Sequence, residues 1–318
     1  MTMQIVDAAA TRRHLAFAPL IAALRRMFAS GCEVPLRHTH AIAEAGTLLL
    51  MPAWRAGARL GVKTVTIFPG NGALGLPGLH STYLLFNAAT GVPLAQLDGN
   101  EITSRRTAAA SALAASFLAR PDASRLLIVG AGRVAALLAE AMQAVRPLSE
   151  VVVWNHRPAS AHALAARLRD TGFAARATDD LAQAASQADI ISCATLATAP
   201  LIRGEWLRPG THLDLIGSFT PQMCEADAAC FARSRVFVDT PEALAKAGDV
   251  LRAIQAGAFD GAALQATLAD LCRGTHPGRS DEAEITLFKA VGTALEDLAA
   301  AELVFDALAP ESLASAAS

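Results

Sequence analysis

From residue 120 onward, short runs of β-branched and aliphatic residues alternate with longer amphipathic runs. The short runs have the length of strands and the amphipathic runs have the length of crossover helices, a pattern typical of βαβ units in a parallel sheet. The sequence therefore predicts an α/β domain with a doubly wound parallel sheet. The predicted strands are 126–129, 151–154, 174–177, 190–194, 213–216 and 236–239, with helices between them at 134–145, 159–169 and 181–188.

The first 119 residues follow a different pattern and predict a separate α+β unit. One helical stretch precedes four strand-like runs that are joined by Gly, Pro and Asn turns, at 20–30, then 47–53, 61–67, 82–86 and 94–97. Residues 284–308 carry one long helical pattern that only Gly292 interrupts, so a final helix is expected to return to the first unit. We therefore predict one domain formed by 1–119 and 300–318, and a second formed by 120–299.

Composition and charge narrow the class of protein. The chain has 318 residues, of which 53% are hydrophobic and 18% charged, so it is too apolar to be disordered. A net charge of −2 gives no field that would recruit nucleic acid or an anionic membrane surface. No apolar run is long enough to span a membrane, and the amino terminus lacks the order of a secretory signal, so a cytoplasmic protein is expected. The 5 cysteines form no C-x-x-C pair, which favours free thiols and predicts no metal site.

The run 126–129 leads directly into a glycine turn of the form G-x-G-x-x-A, from Gly130 through Gly132 to Ala135, and an apolar-periodic helix follows. Gly130 permits the tight turn, Gly132 lets the backbone approach a pyrophosphate, and Ala135 keeps the helix close to the sheet. The helix N-terminus adds N–H donors for the anion. Because a strand precedes the turn and more βα units follow it, the turn predicts a dinucleotide site rather than an ordinary strand-to-helix connection.

The end of the second strand bears on which dinucleotide binds, because an acidic residue there accepts the ribose hydroxyls and repels a 2′-phosphate. Here the sequence reads Asn155-His156-Arg157, without a carboxylate. Asn155 can donate to a phosphate and Arg157 can pair with it. NADP(H) is therefore favoured over NAD(H); the alternative is that Arg157 is only a solvated residue at a helix start.

Several cations in the first 119 residues have unusual settings. Thr103 or Ser104 is predicted to cap a helix, which would place Arg105 and Arg106 in its first turn, where the helix dipole disfavours cations unless an anion also binds. A structural salt bridge is the alternative for either arginine. Arg37 follows an apolar run, and Lys63 lies inside a strand-like one, where it needs either an exposed face or a buried anionic partner.

These stretches resemble the ornithine cyclodeaminase/mu-crystallin family of nicotinamide-dependent enzymes over nearly the whole chain. The resemblance rests on the glycine turn and on these segments: G-V-K at 61–63, F-P-G-N at 68–71, T-G at 90–91 with L-D-G at 97–99, TSRRTAAASALAA at 103–115, S-C-A-T at 192–195 with P-L-I at 200–202, and V-G-T-A-L-E-D at 291–297. It implies a homodimer whose first domain binds a small imino or amino acid and whose second binds NAD(P).

The resemblance also implies roles for individual residues. Arg37 and Arg106 would hold the substrate carboxylate, and Lys63 would lie beside the reacting carbon or nitrogen. The cofactor would contact residues of the glycine turn and of the loops after the strands, namely Gly130, Ala131, Gly132, Arg133, Val134, Asn155, His156, Arg157, Ala194, Thr195, Ile216 and Ser218.

One departure from the family pattern selects among its activities. Ornithine cyclodeaminases carry an aspartate in the loop after the fifth strand, and Phe219 stands in its place here. The G-S-F-T-P form resembles the imine reductases of the family, so the expected reaction is NAD(P)H-dependent reduction of a cyclic α-imino acid, Δ1-pyrroline-2-carboxylate to L-proline. The alternatives are ornithine cyclodeaminase, alanine dehydrogenase and a non-enzymatic NADP-dependent carrier of a small ligand.

Overall fold

The computed structural model describes residues 3–42 and 46–308 of the chain. The chain divides into two compact units, one formed by 1–106 and 293–318 and the other by 107–292. These boundaries differ from the predicted ones at 119/120 and 299/300. The first boundary lies within one continuous helix, so no change of local sequence pattern marks it.

The first unit is built on a six-stranded sheet within its described residues. The strands are β1 (Gln4–Val6), β2 (His38–Ile42), β3 (Gly46–Trp54), β4 (Arg59–Ile67), β5 (Leu79–Asn87) and β6 (Pro93–Asp98). Their order across the sheet is β1-β6-β5-β4-β3-β2; β1 pairs with β6 in parallel, and all other pairs are antiparallel. The helices are α1 (Ala8–Arg13), α2 (Phe17–Ser30), the start of α3 (Gly99–Leu118) and α11 (Ala294–Leu308), with a 3₁₀ turn at Pro69–Leu74.

One face of this sheet is buried, because successive side chains of a strand point to opposite faces and every second one is turned toward the core. In the middle of β4, Gly61, Lys63 and Val65 are buried and the residues between them are half-buried. The buried residues of β3, β5 and β6 lie in the same rows as Gly61 and Lys63. Helix α11 packs against α2, β3 and β4. The predicted helix and four strands of this unit are confirmed, while β1, β2 and α1 were not predicted.

The second unit contains an eight-stranded, fully parallel sheet among its described residues, in the order β13-β12-β14-β11-β10-β7-β8-β9. The strands are β7 (Arg125–Val129), β8 (Glu150–Trp154), β9 (Ala175–Ala177), β10 (Ile190–Cys193), β11 (His212–Leu215), β12 (Arg235–Val238), β13 (Ala266–Thr267) and β14 (Thr286–Lys289). The helices are the remainder of α3, then α4 (Ala135–Gln143), α5 (Pro158–Asp170), α6 (Leu181–Gln187), α7 (Ala228–Ala232), α8 (Ala243–Lys246), α9 (Gly248–Gln255) and α10 (Leu268–Arg273), with 3₁₀ turns at Gly204–Trp206 and Gly261–Ala263. The predicted α/β class with a doubly wound parallel sheet and a second α+β unit is confirmed.

The predicted helix over 284–308 is wrong in its first half. Thr286–Lys289 is strand β14, which lies between β11 and β12 in the sheet, and α11 begins only at Ala294. All four residues of β14 are buried, so the strand lacks the polar alternation that separates a strand from a helix. A fully buried strand and a buried helical segment therefore give the same sequence signal.

The predicted cap at Thr103 or Ser104 is also wrong. Helix α3 begins at Gly99, and the Asp98 side chain accepts a hydrogen bond from the amide of Glu101 at 2.8 Å. Arg105 and Arg106 consequently lie in the second turn, away from the N–H groups of the first. The helix start cannot supply the carboxylate site that the sequence had suggested there.

None of the helices in the described part of the chain is long and apolar enough to cross a membrane.

Candidate active site

Lys63 lies on the buried face of the six-stranded sheet. It occupies the centre of β4, where it pairs in register with Met51 of β3 and Tyr83 of β5, and its side chain is only 2% exposed. The interpretation of Lys63 as a surface residue is therefore wrong, and the alternative of a buried anionic partner is the one the structure supports.

That partner is Asp297, in the first turn of α11. The Nζ of Lys63 lies 2.7 Å from one carboxylate oxygen, and Nε of Arg106 donates to the other at 3.0 Å. A second nitrogen of Arg106, Nη1, donates to Glu296. All four side chains are buried. Asp297 thus joins the two cations into one cluster, which we call the lysine cluster: Lys63, Arg106, Glu296 and Asp297.

Burial and neighbouring charges set the protonation of the lysine cluster. Burial lowers the pKa of Lys63 to about 8, with the nearby charge of Arg106 acting in the same direction and Asp297 only partly opposing them. Burial would raise the pKa of Asp297, but Lys63 and Arg106 together hold it below its usual range. Lys63 can therefore carry a proton at neutral pH and release it without a large free-energy cost.

Arg106 retains a further donor. Its Nε donates to Asp297 and its Nη1 donates to Glu296, so Nη2 takes part in neither of these two contacts. Burial alone would lower the pKa of Arg106, but Asp297 and Glu296 more than offset this and raise it, so the guanidinium stays charged. It can offer Nη2 to a bound anion.

Arg105 has a different environment although it is adjacent in sequence. Its Nε donates to the backbone oxygen of Leu15 at 2.7 Å, and its guanidinium lies 4.3 Å from the centroid of the Phe17 ring. These contacts join α3 to the start of α2. The buried salt bridges that the sequence offered as the alternative for either arginine are made by Arg106, to Glu296 and Asp297, while these contacts of Arg105 hold α3 against α2.

Arg37 lies one residue before β2 and is half-buried. In β2, His38 pairs with Leu50, and extending this register by one residue sets Arg37 opposite Met51, the neighbour of Lys63. Residues in one row of a sheet point to the same face. Arg37 and Lys63 thus share a row, two strands apart.

In the second unit, the glycine turn has the geometry that a dinucleotide requires. Gly130 has a φ of +116°, and a Cβ there would lie 2.5 Å from the backbone oxygen of Ala194. Gly132 is different, because a Cβ at this position would meet no atom within 4 Å. Open space therefore lies against the Gly132 backbone at the start of α4, whose first turn has no side-chain cap. The turn fits a pyrophosphate group.

The segment after β8 combines one buried and two exposed side chains. The Nδ2 of Asn155 donates to the backbone oxygen of Arg157 at 3.2 Å, and Asn155 is nearly buried. His156 and Arg157 are exposed immediately before α5. Asn155 therefore shapes the turn, and the exposed imidazole and guanidinium are the groups available to an anion.

The remaining predicted cofactor residues follow β10 and β11, at the carboxyl end of the parallel sheet. Ala194 and Thr195 come directly after β10, and Ile216 and Ser218 follow β11. Ser218 is the one non-glycine residue with positive φ in the described part of the chain, at 56°. Ligands of open α/β sheets bind at this edge.

Two acidic residues of the lysine cluster were not assigned a role from the sequence. Glu296 and Asp297 appear there only as part of a family-like segment. Both fall in an otherwise apolar helical stretch, 294–301, and buried charges need partners. Lys63 and Arg106 also lie in apolar stretches of the sequence. Two cations and two carboxylates in apolar stretches were therefore the signal in the sequence that could have predicted their pairing. The described residues contain no group of three or more His, Cys, Asp or Glu side chains that could hold a metal ion.

The chain is similar to known proteins in both sequence and fold. A model of the ornithine cyclodeaminase/mu-crystallin family matches residues 3–312. A Δ1-pyrroline-2-carboxylate reductase of Paracoccus denitrificans is 44% identical over 261 residues, covering 81% of this chain and 83% of its own. The solved structure of Thermococcus litoralis Δ1-pyrroline-2-carboxylate reductase with NADH and L-proline is 31% identical, with a TM-score of 0.89 over 96% of this chain and 97% of that one. An archaeal alanine dehydrogenase dimer with bound NAD is 29% identical, with a TM-score of 0.90 over 96% of each chain.

Proposed function

Because the chain belongs to the ornithine cyclodeaminase/mu-crystallin family, we propose that it is an NAD(P)H-dependent reductase of a cyclic α-imino acid, converting Δ1-pyrroline-2-carboxylate to L-proline. The observation that carries the proposal is the lysine cluster, which offers a proton donor near neutral pH beside a charged guanidinium. An imino acid needs both, because its nitrogen takes up a proton and its carboxylate needs a cation.

Arg106 and Arg37 have the task of binding and orientation. Nη2 of Arg106 and the guanidinium of Arg37 would hold the substrate carboxylate, which fixes the direction of the adjacent C2 atom. Glu296 and Asp297 hold Arg106 in place through Nη1 and Nε, so its orientation does not depend on the substrate.

Lys63 has the task of moving a proton. Its ammonium group would donate to the imine nitrogen as the C=N bond becomes a C–N bond, and Asp297 keeps the ammonium positioned by the 2.7 Å ion pair. When bound, the reduced nicotinamide supplies the hydride that reaches C2. One hydride and one proton together convert the imine to the amine, and solvent then restores the proton on Lys63.

The residues of the glycine turn and of the loops after β8, β10 and β11 would bind the dinucleotide. Gly130 through Val134 face the pyrophosphate in this proposal, and His156 and Arg157 face the adenosine ribose. Because two exposed cationic or polar groups and no carboxylate follow β8, we expect NADP(H) to bind more tightly than NAD(H).

Phe219 distinguishes imine reduction from ornithine cyclisation. Its ring is 43% exposed in the loop after β11, and no acidic side chain stands at that position. A phenyl ring offers no anion to compensate the free δ-ammonium of ornithine, which an aspartate at this position would supply. The cyclic imine has no such group.

We further propose that the protein acts as a homodimer through the outer face of the six-stranded sheet. The face opposite Lys63 carries aliphatic side chains that are only half-buried in the single chain, including Leu50, Val62 and Leu84. An apolar sheet face of this kind is typical of a subunit contact. Light scattering should give twice the mass of one chain, and Leu84→Arg should shift the protein toward monomer.

The function is tested by following NADPH and NADH oxidation with Δ1-pyrroline-2-carboxylate, and ammonia release from ornithine. We expect oxidation with the cyclic imine and no ammonia. Ammonia and proline from ornithine would identify a cyclodeaminase, and pyruvate-dependent NADH oxidation with ammonium as the preferred reaction would identify an alanine dehydrogenase. Tight NADPH binding without turnover of any imino acid would identify a carrier.

A further inference from the structure

A second group of buried charged side chains lies in the parallel-sheet unit, where no catalytic role has been assigned. Glu225, Asp249 and Lys289 are each no more than 1% exposed. They come from the segment before α7, the start of α9 and the end of β14. We call them the glutamate cluster. These three residues are shielded from solvent and contact residues in or beside the loops after β10 and β11.

Glu225 contacts both loops at once. Its Oε1 accepts hydrogen bonds from the amide and the hydroxyl of Thr195, at 2.7 and 2.8 Å. The Gly217 backbone approaches the same point so closely that a Cβ there would lie 2.3 Å from the Thr195 oxygen and 2.4 Å from Oε1. Oε1 of Glu225 therefore lies between the loop after β10 and the loop after β11 and is close to both.

Lys289 and Asp249 secure the other side of this contact. The Nζ of Lys289 donates to the backbone oxygens of Leu215, at 3.2 Å, and of Gly217. Oδ1 of Asp249 accepts from the amide of Glu225 at 2.7 Å, and its own amide donates to the hydroxyl of Ser218 at 2.9 Å. The strained turn at Ser218 is thus tied to the segment that carries Glu225.

The charges of the glutamate cluster favour an uncharged Glu225. Lys289 and Asp249 form an ion pair at 3.6 Å and balance each other. Oε2 of Glu225 is buried without a hydrogen-bond partner among the described residues, which is costly for a carboxylate. Burial raises the pKa of Glu225 to about 8, with Asp249 adding to the shift and Lys289 opposing it. The neighbouring Cys193 thiol is also buried and its pKa is raised, so it adds no charge at neutral pH.

We propose that Glu225 is a positioning residue which, as a neutral carboxyl group, holds the loops after β10 and β11 in the arrangement that binds the nicotinamide dinucleotide. The inference rests on the proposed function in one respect, that these loops contact the cofactor. It assigns Glu225 no contact with substrate and no step in the reaction.

The test compares Glu225→Leu, which removes the acceptor, with Glu225→Gln, which keeps an uncharged oxygen in the same place. The dissociation constants of NADH and NADPH are measured by fluorescence titration, and the KM of the cyclic imine is measured at saturating cofactor. Glu225→Leu should weaken dinucleotide binding about tenfold or more, because the buried amide and hydroxyl of Thr195 lose their acceptor. The KM of the imine should stay within about twofold, since the lysine cluster is unchanged, and Glu225→Gln should retain nearly all of the affinity.

Controls separate positioning from general destabilisation. Glu205→Leu removes an exposed carboxylate from the same unit and should leave both constants unchanged. Should Glu225→Leu fail to fold, Glu225→Asp shortens the side chain by one methylene, withdraws the carboxyl group from Thr195 and should weaken dinucleotide binding about threefold to tenfold.

Three results would overturn the inference. The first is unchanged dinucleotide affinity in Glu225→Leu, or in Glu225→Asp where that variant replaces it. The second is an equal loss of affinity in Glu225→Gln and Glu225→Leu. The third is a rise in the imine KM as large as the rise in the dissociation constant. If the unmodified protein binds NADH and NADPH but reduces no imine, the proposed function fails while the role of Glu225 still stands. If it binds neither dinucleotide, both fail.

Discussion

The lysine cluster and the glutamate cluster are both buried, and each contains one group with a pKa of about 8. Lys63 reaches this value from above and Glu225 reaches it from below. Lys63 falls to that value because burial and the charge of Arg106 outweigh the attraction of Asp297. Glu225 rises to it because burial and the charge of Asp249 outweigh the attraction of Lys289. In each case burial is the largest cause, and the like-charged neighbour adds to it.

The difference between the clusters lies in what remains available. In the lysine cluster each cation contacts a carboxylate, and the pKa of Lys63 is low enough for its ammonium group to release a proton near neutral pH. In the glutamate cluster the only cation is engaged by Asp249 and by backbone oxygens, so Glu225 keeps its proton and serves as an acceptor for Thr195. Burial thus leaves a lysine whose proton is readily released in one unit, and a carboxyl group fixed as a hydrogen-bond acceptor in the other.

Removal of the proton donor should have the largest effect. We expect Lys63→Met to lower kcat for imine reduction about 10²- to 10⁴-fold, as for the loss of a general acid. In the unmodified protein, kcat/KM should fall as the pH rises above about 8, because the protonated form of Lys63 is then lost. Steady-state rates between pH 6 and 10 measure both. A flat profile between pH 7 and 9 would contradict this role.

Loss of the bridging arginine should come next. Arg106→Ala removes the buried guanidinium that contacts both Asp297 and Glu296, so the free energy of unfolding should fall by about 3–5 kcal/mol. Loss of the carboxylate anchor should also cost about 2–4 kcal/mol in kcat/KM. Urea denaturation and steady-state kinetics measure the two effects.

Arg105→Ala is the matched control, because the two arginines are adjacent and similarly buried. It removes a donor from a backbone oxygen rather than from two carboxylates, so the free energy of unfolding should fall by about 1.5–3 kcal/mol. Its KM for the imino acid should be unchanged. A loss of kcat/KM equal to that of Arg106→Ala would remove the distinction between the two residues.

The protonation of Glu225 should make the stability of the native state depend on pH. Because native Glu225 keeps its proton up to about pH 8 and the unfolded chain releases it near 4.5, the native state binds more protons between these values. This group alone lowers the stability of the native state by about 1.4 kcal/mol per pH unit as the pH rises through that range. Glu225→Gln should remove this slope in urea denaturation measured from pH 5 to 8. Equal slopes in the two proteins would show that Glu225 is ionised in the native state.

The exposed cation after β8 should have the smallest effect. We expect Arg157→Ala to weaken NADPH binding about fivefold to tenfold and to leave NADH binding unchanged, since only NADPH carries the 2′-phosphate. Arg167→Ala, which removes an exposed arginine from α5, is the control and should change neither. Tighter binding of NADH than of NADPH by the unmodified protein would contradict the proposed preference.

Local sequence determined the second unit well. Strands of aliphatic residues, amphipathic crossover helices and the glycine turn are patterns of neighbouring residues, and they sufficed to predict a parallel sheet with a tight glycine turn after β7. They did not suffice for β14, because a strand buried on both faces has no alternation to distinguish it from a helix. The start of α3 was likewise misplaced, since Asp98 caps it from the end of a strand.

Only the tertiary structure decided how the charges are paired. Asp297 follows Lys63 by more than 200 residues and Glu225 precedes Lys289 by more than 60, and no local pattern encodes such distances. The sequence indicated that Lys63 needed either water or an anion, which is a requirement of charge burial. Which of the two it received, and that Arg106 rather than Arg105 shares the same carboxylate, depends on how α3 and α11 approach the six-stranded sheet.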